Sequence, residues 1–440
     1  MFNIRYGNRF LLILAAAVLL LAPSTRALAT GPIELPHGWY KANNRPGLDR
    51  RSLSYDNDVN QRIVTRNDGS ACLLWTAQSA TSSVDKLLFE CWDKTRGVWS
   101  GLQNQNGPDE LQSTLYTSVI WYNSLAIDTA DHPAVAWSAY HWDQASGTNV
   151  YDISFRRWNG SSWQGYTGTQ DTVYRGAHSG QPVIAINPQN NRPAVTWNET
   201  ISSYDLELFY SEWNGTTWRG KQGSAPDVIS AGPMLLTDRD FKFTNLGVPH
   251  VVWEQQDRNT LHVEMLYRIY NGSTWVRFGS AADPLLVDAD EPSLDFDSAG
   301  NPGLAYTNVS LNQVSSSIEF MRWSGATWRG MAGPNPDIVV PADFYKFVFD
   351  PSFAYNASDE PTLVWEFGES NFPPVLGLRV ARGTIHGWGG LDGPDYDQII
   401  GDEWDDVDPR LTLDQLSRPM VVWQRRALPN QTETFFAHWL

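Results

Sequence analysis

Short apolar runs alternating with polar residues recur along the chain, and seven of them end in an aromatic. They are ACLLW at Trp75, PAVAW at Trp137, PAVTW at Trp197, PHVVW at Trp253, PGLAY at Tyr306, PTLVW at Trp365 and PMVVW at Trp423, at intervals of 53 to 62 residues. A second alternating run lies upstream of most of them, such as PVIAIN from Pro182 or PSLDFD from Pro292. A third follows, such as LELFYSEW to Trp213, then Asn-Gly or Ser-Gly and a run opening with Trp. These junctions read WNGSSW (158–163), WNGTTW (213–218), YNGSTW (270–275) and WSGATW (323–328). Period-two alternation with frequent turn signals and no helical period predicts strands. Asn-Gly between such runs predicts a type I′ hairpin turn, whose two central residues both take positive φ. Each unit is therefore a four-stranded meander, with strands A to D. Seven such units repeated radially predict an all-β chain folded as a seven-bladed β-propeller.

The seventh unit stops at its C strand, ETFFAHWL, which ends at Leu440. Trp39 precedes Gln61 by the interval that separates D-strand tryptophans from the next A strand elsewhere. Gly38-Trp39-Tyr40 is thus expected to supply the missing D strand and close the ring. Further upstream, Arg5 and Arg9 precede the apolar run Phe10 to Ala22, Pro23 breaks it, and Ala27-Leu28-Ala29 offers a small-x-small cleavage site. Residues 1–29 read as a secretory signal, and the run is too short to span a bilayer. The mature chain is then 30–440, with 30–55 as closing strand and linker, secreted or periplasmic and not membrane-spanning. In an oxidising compartment Cys72 and Cys91, on neighbouring strands of one hairpin, are predicted to form a disulfide.

Charge narrows the function classes. The formal charge of −17, from 49 acids against 32 bases, excludes a nucleic-acid binder that works by neutralising phosphates. Two cysteines and eight scattered histidines give no zinc pattern, and no phosphate loop or Gly-x-Ser-x-Gly occurs. No cofactor is expected. The Asp-x-Asp pairs at 238/240, 288/290 and 406/408 could hold calcium through oxygen-rich loops or form Asx turns.

Of the 21 tryptophans, eighteen fall in register on B strands (75, 137, 197, 253, 365, 423), C strands (92, 158, 213, 323, 439) or D strands (39, 99, 163, 218, 275, 328, 388). These are expected to be packing. Trp121, Trp142 and Trp404 are spare, and all map to the face of the D–A and B–C connections in repeats 7 and 2, which flank repeat 1. Tyr122, Tyr140 and His141 accompany them, as does the acidic run containing Asp402 and Asp405. Aromatics beside carboxylates suit sugars, whose ring faces stack while hydroxyls find acceptors; the competing reading is loops that bury their own tryptophans. Glu199, Glu254 and Glu366 follow B-strand tryptophans. As a pair, two of them could serve glycoside hydrolysis, while solvated strand-end acids are the plainer reading.

SEWNGTTW (211–218) resembles the Asp-box of bacterial neuraminidase repeats, Ser-x-Asp-x-Gly-x-Thr-Trp. Ser211, Gly215, Thr217 and Trp218 match, with Trp213 in place of the Asp. With its "P-x-V-x-W" B strands, the whole mature chain is similar to secreted sialidase-like propeller repeats. The resemblance implies, for true sialidases, six blades, an arginine triad, a Tyr/Glu nucleophile pair and an Asp acid/base. Arg62 stands where the first arginine would be and Arg410 at the matching position of repeat 7, without a third arginine or a Tyr/Glu pair. Three functions follow. The first is a non-catalytic recognition module for carbohydrate or cell-surface ligands, acting as a monomer through Trp121, Tyr122, Trp142, Trp404, Asp402, Asp405, Arg62 and Arg410. The second is a sialidase-like glycoside hydrolase or other glycan-active enzyme. The third is a scaffold for an extracellular protein partner.

Overall fold

The computed structural model describes residues 38–440 apart from 44, 46–47, 52–56, 79–83, 114–118, 144–146, 177, 203–204, 231–234, 257–261, 280–282, 310–314, 344–345, 370–375, 401–404 and 429–430. The signal sequence expected at 1–29 lies outside the described residues, as do Asp402 and Trp404. Seven antiparallel sheets follow one another as propeller blades, and among the described residues there is no helix. Their A strands are Asn57–Thr65, Val119–Ile127, Ser179–Asn187, Leu235–Phe243, Ala289–Phe296, Lys346–Tyr355 and Asp405–Leu413. The B strands are Ala71–Gln78, Pro133–Asp143, Arg192–Ser202, Pro249–Gln256, Pro302–Val309, Pro361–Glu369 and Pro419–Leu428. The C strands are Asp85–Asp93, Thr148–Trp158, Asp205–Trp213, Val263–Tyr270, Ser316–Trp323, Leu376–Thr384 and Gln431–Trp439. Each D strand is broken into two short pieces that both pair with C, as Val98–Ser100 and Asp109–Ser113 do in blade 1.

The ring closes as the sequence predicts. Trp39–Tyr40 and Asp49–Arg50 form the D strand of blade 7, with Trp39 opposite Trp439 and Asp49 opposite Phe436. The two indoles meet edge to face at 5.4 Å, a geometry that adds about 1 kcal/mol beyond area burial. In blade 1, Cys72 and Cys91 lie directly opposite each other and are joined by a disulfide.

Indoles fill the seams between blades. The six B-strand tryptophans are buried, and the D-strand ring of each blade leans on the C strand beside it, as Trp158 and Trp163 do at 5.9 Å. Apolar clusters cross blade boundaries: Leu208 and Tyr210 of blade 3 pack with Phe241, Val251 and Trp253 of blade 4.

The D-strand break has a chemical reason. Asp227 Oδ2 accepts the Trp275 Nε1–H of the next blade at 2.9 Å, while the same carboxylate accepts the amides of Lys221 and Gln222. Asp109 with Trp163, Asp171 with Trp218, Asp337 with Trp388 and Asp49 with Trp99 repeat the clasp. A glycine two places after the D-strand Trp leaves room for the carboxylate, since a Cβ at Gly101, Gly165, Gly220 or Gly330 would collide with it. This Trp-x-Gly…Asp pattern fastens neighbouring blades, and it sits on a different turn from the Asp-box expected at 211–218.

The C–D turns differ from the expected type I′. Only the glycines are left-handed, with φ of 100° at Gly160, 107° at Gly215 and 99° at Gly272. The asparagine before each instead turns its side chain inward: Asn159 Oδ1 accepts the amides of Ser161 and Ser162 at 2.9 Å. Side-chain capping of this kind replaces the second left-handed residue.

Candidate functional site

Each A strand carries a bulge, and six of its residues (Asn60, Gln181, Glu291, Asp350, Asp408 and, in blade 2, Trp121) mark the inner ring of the propeller. All but Trp121 adopt positive φ, between 49° and 57°. Such bulges re-aim backbone amides, and side chains of the blade before receive them. Glu254 accepts the Glu291 amide at 2.8 Å, Glu291 accepts that of Asp350 at 2.7 Å, and Glu366 accepts that of Asp408 at 2.5 Å. Glu254 and Glu366 are therefore buried interblade braces rather than solvated strand-end acids; Glu199, also buried, binds the His178 amide and the Ser179 hydroxyl. Burial, reinforced by the charges of Asp350 and then Glu291 and Asp408, pushes the Glu366 carboxyl well above its usual range.

The expected arginines sit beside this ring. Arg62 and Arg410 occupy the same register of adjacent A strands, opposite Leu74 and Val422. Each donates Nη1–H to the carbonyl of the residue before it at 2.9 Å, and Arg410 also pairs with Asp408 at 2.5 Å. Gln61 links the two blades by donating to the Asp408 carbonyl. Among the Asp-x-Asp pairs, Asp406 is a buried partner of Arg425 and Trp423, Asp288 meets His262 at 2.7 Å, and Asp240 accepts the Leu294 amide. Asp238, Glu254 and Asp290 bring carboxylate oxygens within 4.8 Å of one another, a donor set that could hold a divalent cation.

A second concentration of chemistry stands on blade 2. Its B and C strands are eleven residues each, longer than the eight and nine of blade 1. The hairpin therefore carries its end further along the face of the B–C and D–A connections. Tyr140 lies opposite Tyr151, His141 opposite Val150 and Trp142 opposite Asn149. The rings of Tyr140, Tyr151 and His178 form a chain with centroids 4.8 and 5.0 Å apart. Arg175 grips Asp152 through two hydrogen bonds of 2.7 and 2.9 Å, and His141 Nε2 stands 3.8 Å from the same carboxylate. Trp142 leaves 50% of its surface to solvent. Alternation along the strands puts Tyr140, Trp142 and Tyr151, with His178, on one face of the hairpin, and His141, Asp152 and Arg175 on the other. The first face sets phenol and imidazole beside an exposed indole, which supplies stacking surface with hydrogen-bonding groups.

The structure distributes the sequence candidates unevenly. Trp121 lies within the blade 2 A strand as the bulged residue, half-buried, its carbonyl accepting Asn60 Nδ2 at 2.8 Å. Tyr122 is half-buried opposite Ser138. Asp405 opens the blade 7 A strand opposite Arg426. Sequence reasoning missed Tyr151, Asp152, Arg175 and His178. They join Tyr140 and Trp142 only through strand pairing, and no local motif marks them.

No family model matches the chain, and no curated protein does. A PL25 ulvan lyase, solved bound to -[GlcA(1-4)Rha3S]-, is similar over 88% of this chain and 93% of its own, at 11% identity and a TM-score of 0.54. A Hadza microbial sialidase, Hz136, matches over 84% of this chain and 77% of its own, at 11% identity and a TM-score of 0.44. The NanB sialidase of Streptococcus pneumoniae matches over 89% and 70%, at 10% identity and a TM-score of 0.44. At these identities the likeness is one of fold: this chain is a β-propeller whose solved neighbours include carbohydrate-active propellers.

Proposed function

We propose that the chain is a secreted or periplasmic propeller that recognises an extracellular glycan through the Tyr140–Trp142 hairpin of blade 2. The observation that carries the reading is an indole half-open to solvent beside the Tyr140–Tyr151–His178 chain. A sugar ring stacks on such an indole, while the Tyr140 and Tyr151 hydroxyls and His178 on the same face meet its hydroxyl and acidic groups. Trp121, Tyr122, Arg62 and Arg410 stand on the A strands of blades 2, 1 and 7 and would extend the contact toward the inner ring. Uronate-bearing and sulfated oligosaccharides are the first ligands to try, given the sugar in the solved lyase. Glycan-array binding that Trp142→Ala abolishes with unfolding unchanged supports this reading; an array without any binder, or binding indifferent to Trp142→Ala, removes it.

A second reading is favoured by Tyr151 and His178 sharing that surface with ring centroids 5.0 Å apart: cleavage of a uronate polysaccharide by β-elimination. One of the two groups takes the C5 proton, the electron pair of that C–H bond forms the C4–C5 double bond, and the C4–O bond breaks with its oxygen taking a proton from the other group. Ultraviolet absorbance of the unsaturated uronate end, lost in Tyr151→Phe and His178→Ala, would establish it; a flat trace with a bound polysaccharide leaves recognition alone.

A further inference from the structure

The opposite face, formed by the A–B and C–D turns, holds a cavity of about 450 Å³ at the seam where blade 7 meets blade 1. The repeat explains why it opens there. In blades 4, 5 and 6 the last A-strand residue is an aromatic, Phe243, Phe296 or Tyr355, that packs onto the blade before it. Phe296 of blade 5 sets its ring 4.9 Å from His250 of blade 4, and Tyr355 of blade 6 lies 6.2 Å from Phe320 of blade 5. The register places Thr65 at this position in blade 1, opposite Ala71 as Phe296 is opposite Pro302. Thr65 turns toward blade 7, where it bonds Thr412 Oγ1 at 2.8 Å and the Leu413 carbonyl at 2.9 Å. A hydroxyl and a methyl cannot fill the volume of a phenyl ring, and Met420, the blade 7 counterpart of His250, is left lining open space.

The lining has a definite chemistry. Trp92, Phe436 and His438 back the wall with 8%, 1% and 8% of their surfaces exposed, and Lys94 and Arg418 supply cations. The acids nearby are already satisfied: Asp414 takes Arg418 Nε at 2.7 Å and the amides of Leu416 and Arg418, and Asp68 takes the Ser70 amide and hydroxyl. Lys94 donates one proton to the Asp68 carbonyl, and an ammonium carries three. His438 is held neutral by burial and is engaged with the Lys41 carbonyl at 2.7 Å. Arg418 is paired with Asp414 through Nε at 2.7 Å and Nη2 at 2.6 Å, which leaves Lys94 as the cation that meets an anion entering the cavity.

We propose that this seam cavity is a second ligand site, distinct from the blade 2 surface, for a small molecule carrying a carboxylate on a six-membered ring. The carboxylate faces Lys94, with the Arg418–Asp414 pair beside it, and the ring lies over the exposed edge of Trp92. The site stands whether or not blade 2 binds a glycan, and Trp142→Ala leaves it intact.

The test is calorimetric titration and saturation-transfer NMR of the full mature chain with glucuronate, benzoate and glucose. Saturable binding of glucuronate or benzoate is expected, with glucose at least about tenfold weaker. Preference for glucuronate identifies a sugar acid as the source, and preference for benzoate an aromatic acid. Lys94→Glu is expected to weaken binding about tenfold or more through like-charge repulsion. Thr65→Tyr, which restores the side chain found in blade 6, is expected to block binding, whereas Thr65→Val, which loses the same bonds to Thr412 and Leu413 without filling the space, is expected to bind still. Glucose binding as tightly as both acids, acid binding indifferent to both Lys94→Glu and Thr65→Tyr, or no saturable binding of any of the three compounds overturns the proposal.

Discussion

The interblade clasp can be measured because two of the seven D-strand tryptophans, Trp39 and Trp328, have no acceptor for the indole N–H among the described residues. Trp275 and Trp328 hold the same place in successive D strands. Both are half-buried, and each meets its C-strand aromatic, Tyr270 or Trp323, at 5.7 Å. They differ at the indole nitrogen. Trp275 donates to buried Asp227 at 2.9 Å. Pro284 stands where blade 4 would carry the aspartate, by extension of the Met265–Leu286 register, and Trp328 Nε1 is buried with no acceptor among the described residues. Trp→Phe at either site removes similar ring area, so the area terms largely cancel. Trp275→Phe also loses a hydrogen bond to a carboxylate, a loss of about 1.5–3 kcal/mol. Trp328→Phe loses only an N–H that is desolvated without a partner, which returns about 1–3 kcal/mol. Trp275→Phe should therefore be the more destabilising by about 2.5–6 kcal/mol. Urea unfolding followed by far-ultraviolet circular dichroism reads the difference without relying on tryptophan emission. Equal midpoints for the two variants would refute the clasp as a source of stability.

Further outcomes follow from the buried titratable groups and the crosslink. Glu366 keeps its proton in the folded chain above the pH at which an unfolded glutamate loses it, so this residue makes stability fall as pH rises from about 4.5, at about 1.4 kcal/mol per unit. Glu366→Gln, which can still accept the Asp408 amide, should remove that slope and raise stability at neutral pH; an unchanged pH profile contradicts the assignment. His250 titrates at about 3 because burial disfavours its charged form. The unfolded imidazole protonates near 6.5, so stability is lost as pH falls from about 6.5 toward 3, and His250→Gln should flatten that limb in acid unfolding curves. Replacing Cys72 and Cys91 by serine opens a loop with a sequence separation of 19, which lowers stability by about 3 kcal/mol. The same urea midpoint checks it, against the intact chain with and without reductant.

Much of the architecture is legible because the repeat writes it seven times. Alternation, the B-strand aromatic and the Gly-Trp turn give blade number and strand order, and the missing seventh D strand points to Trp39. The turn chemistry is less legible. Asn159, Asn214 and Asn271 suggest left-handed residues, yet their side chains satisfy the turn amides and leave φ negative. The aspartates at 109, 171, 227 and 337 escape notice because each acts on an indole some 50 residues away, and only the Trp-x-Gly spacing hints at it. The site is harder still. Trp142 stands out as an aromatic without a place in the repeat, but Tyr151, Asp152 and Arg175 gain meaning only once three strands of blade 2 lie side by side, and His178 only once the link to blade 3 meets Tyr151. The acids Glu254 and Glu366 look like chemistry in the sequence and prove to be braces, because the bulge amides they receive belong to the next blade.

Hydrogen exchange of the full chain, with and without a uronate-bearing oligosaccharide that binds it, tests the functional account most directly. The account predicts slowed exchange in the Pro133–Asp143 and Thr148–Trp158 strands of blade 2 and around Arg175–His178. Protection confined to blades 4 to 6, with the blade 2 hairpin unchanged, would contradict it.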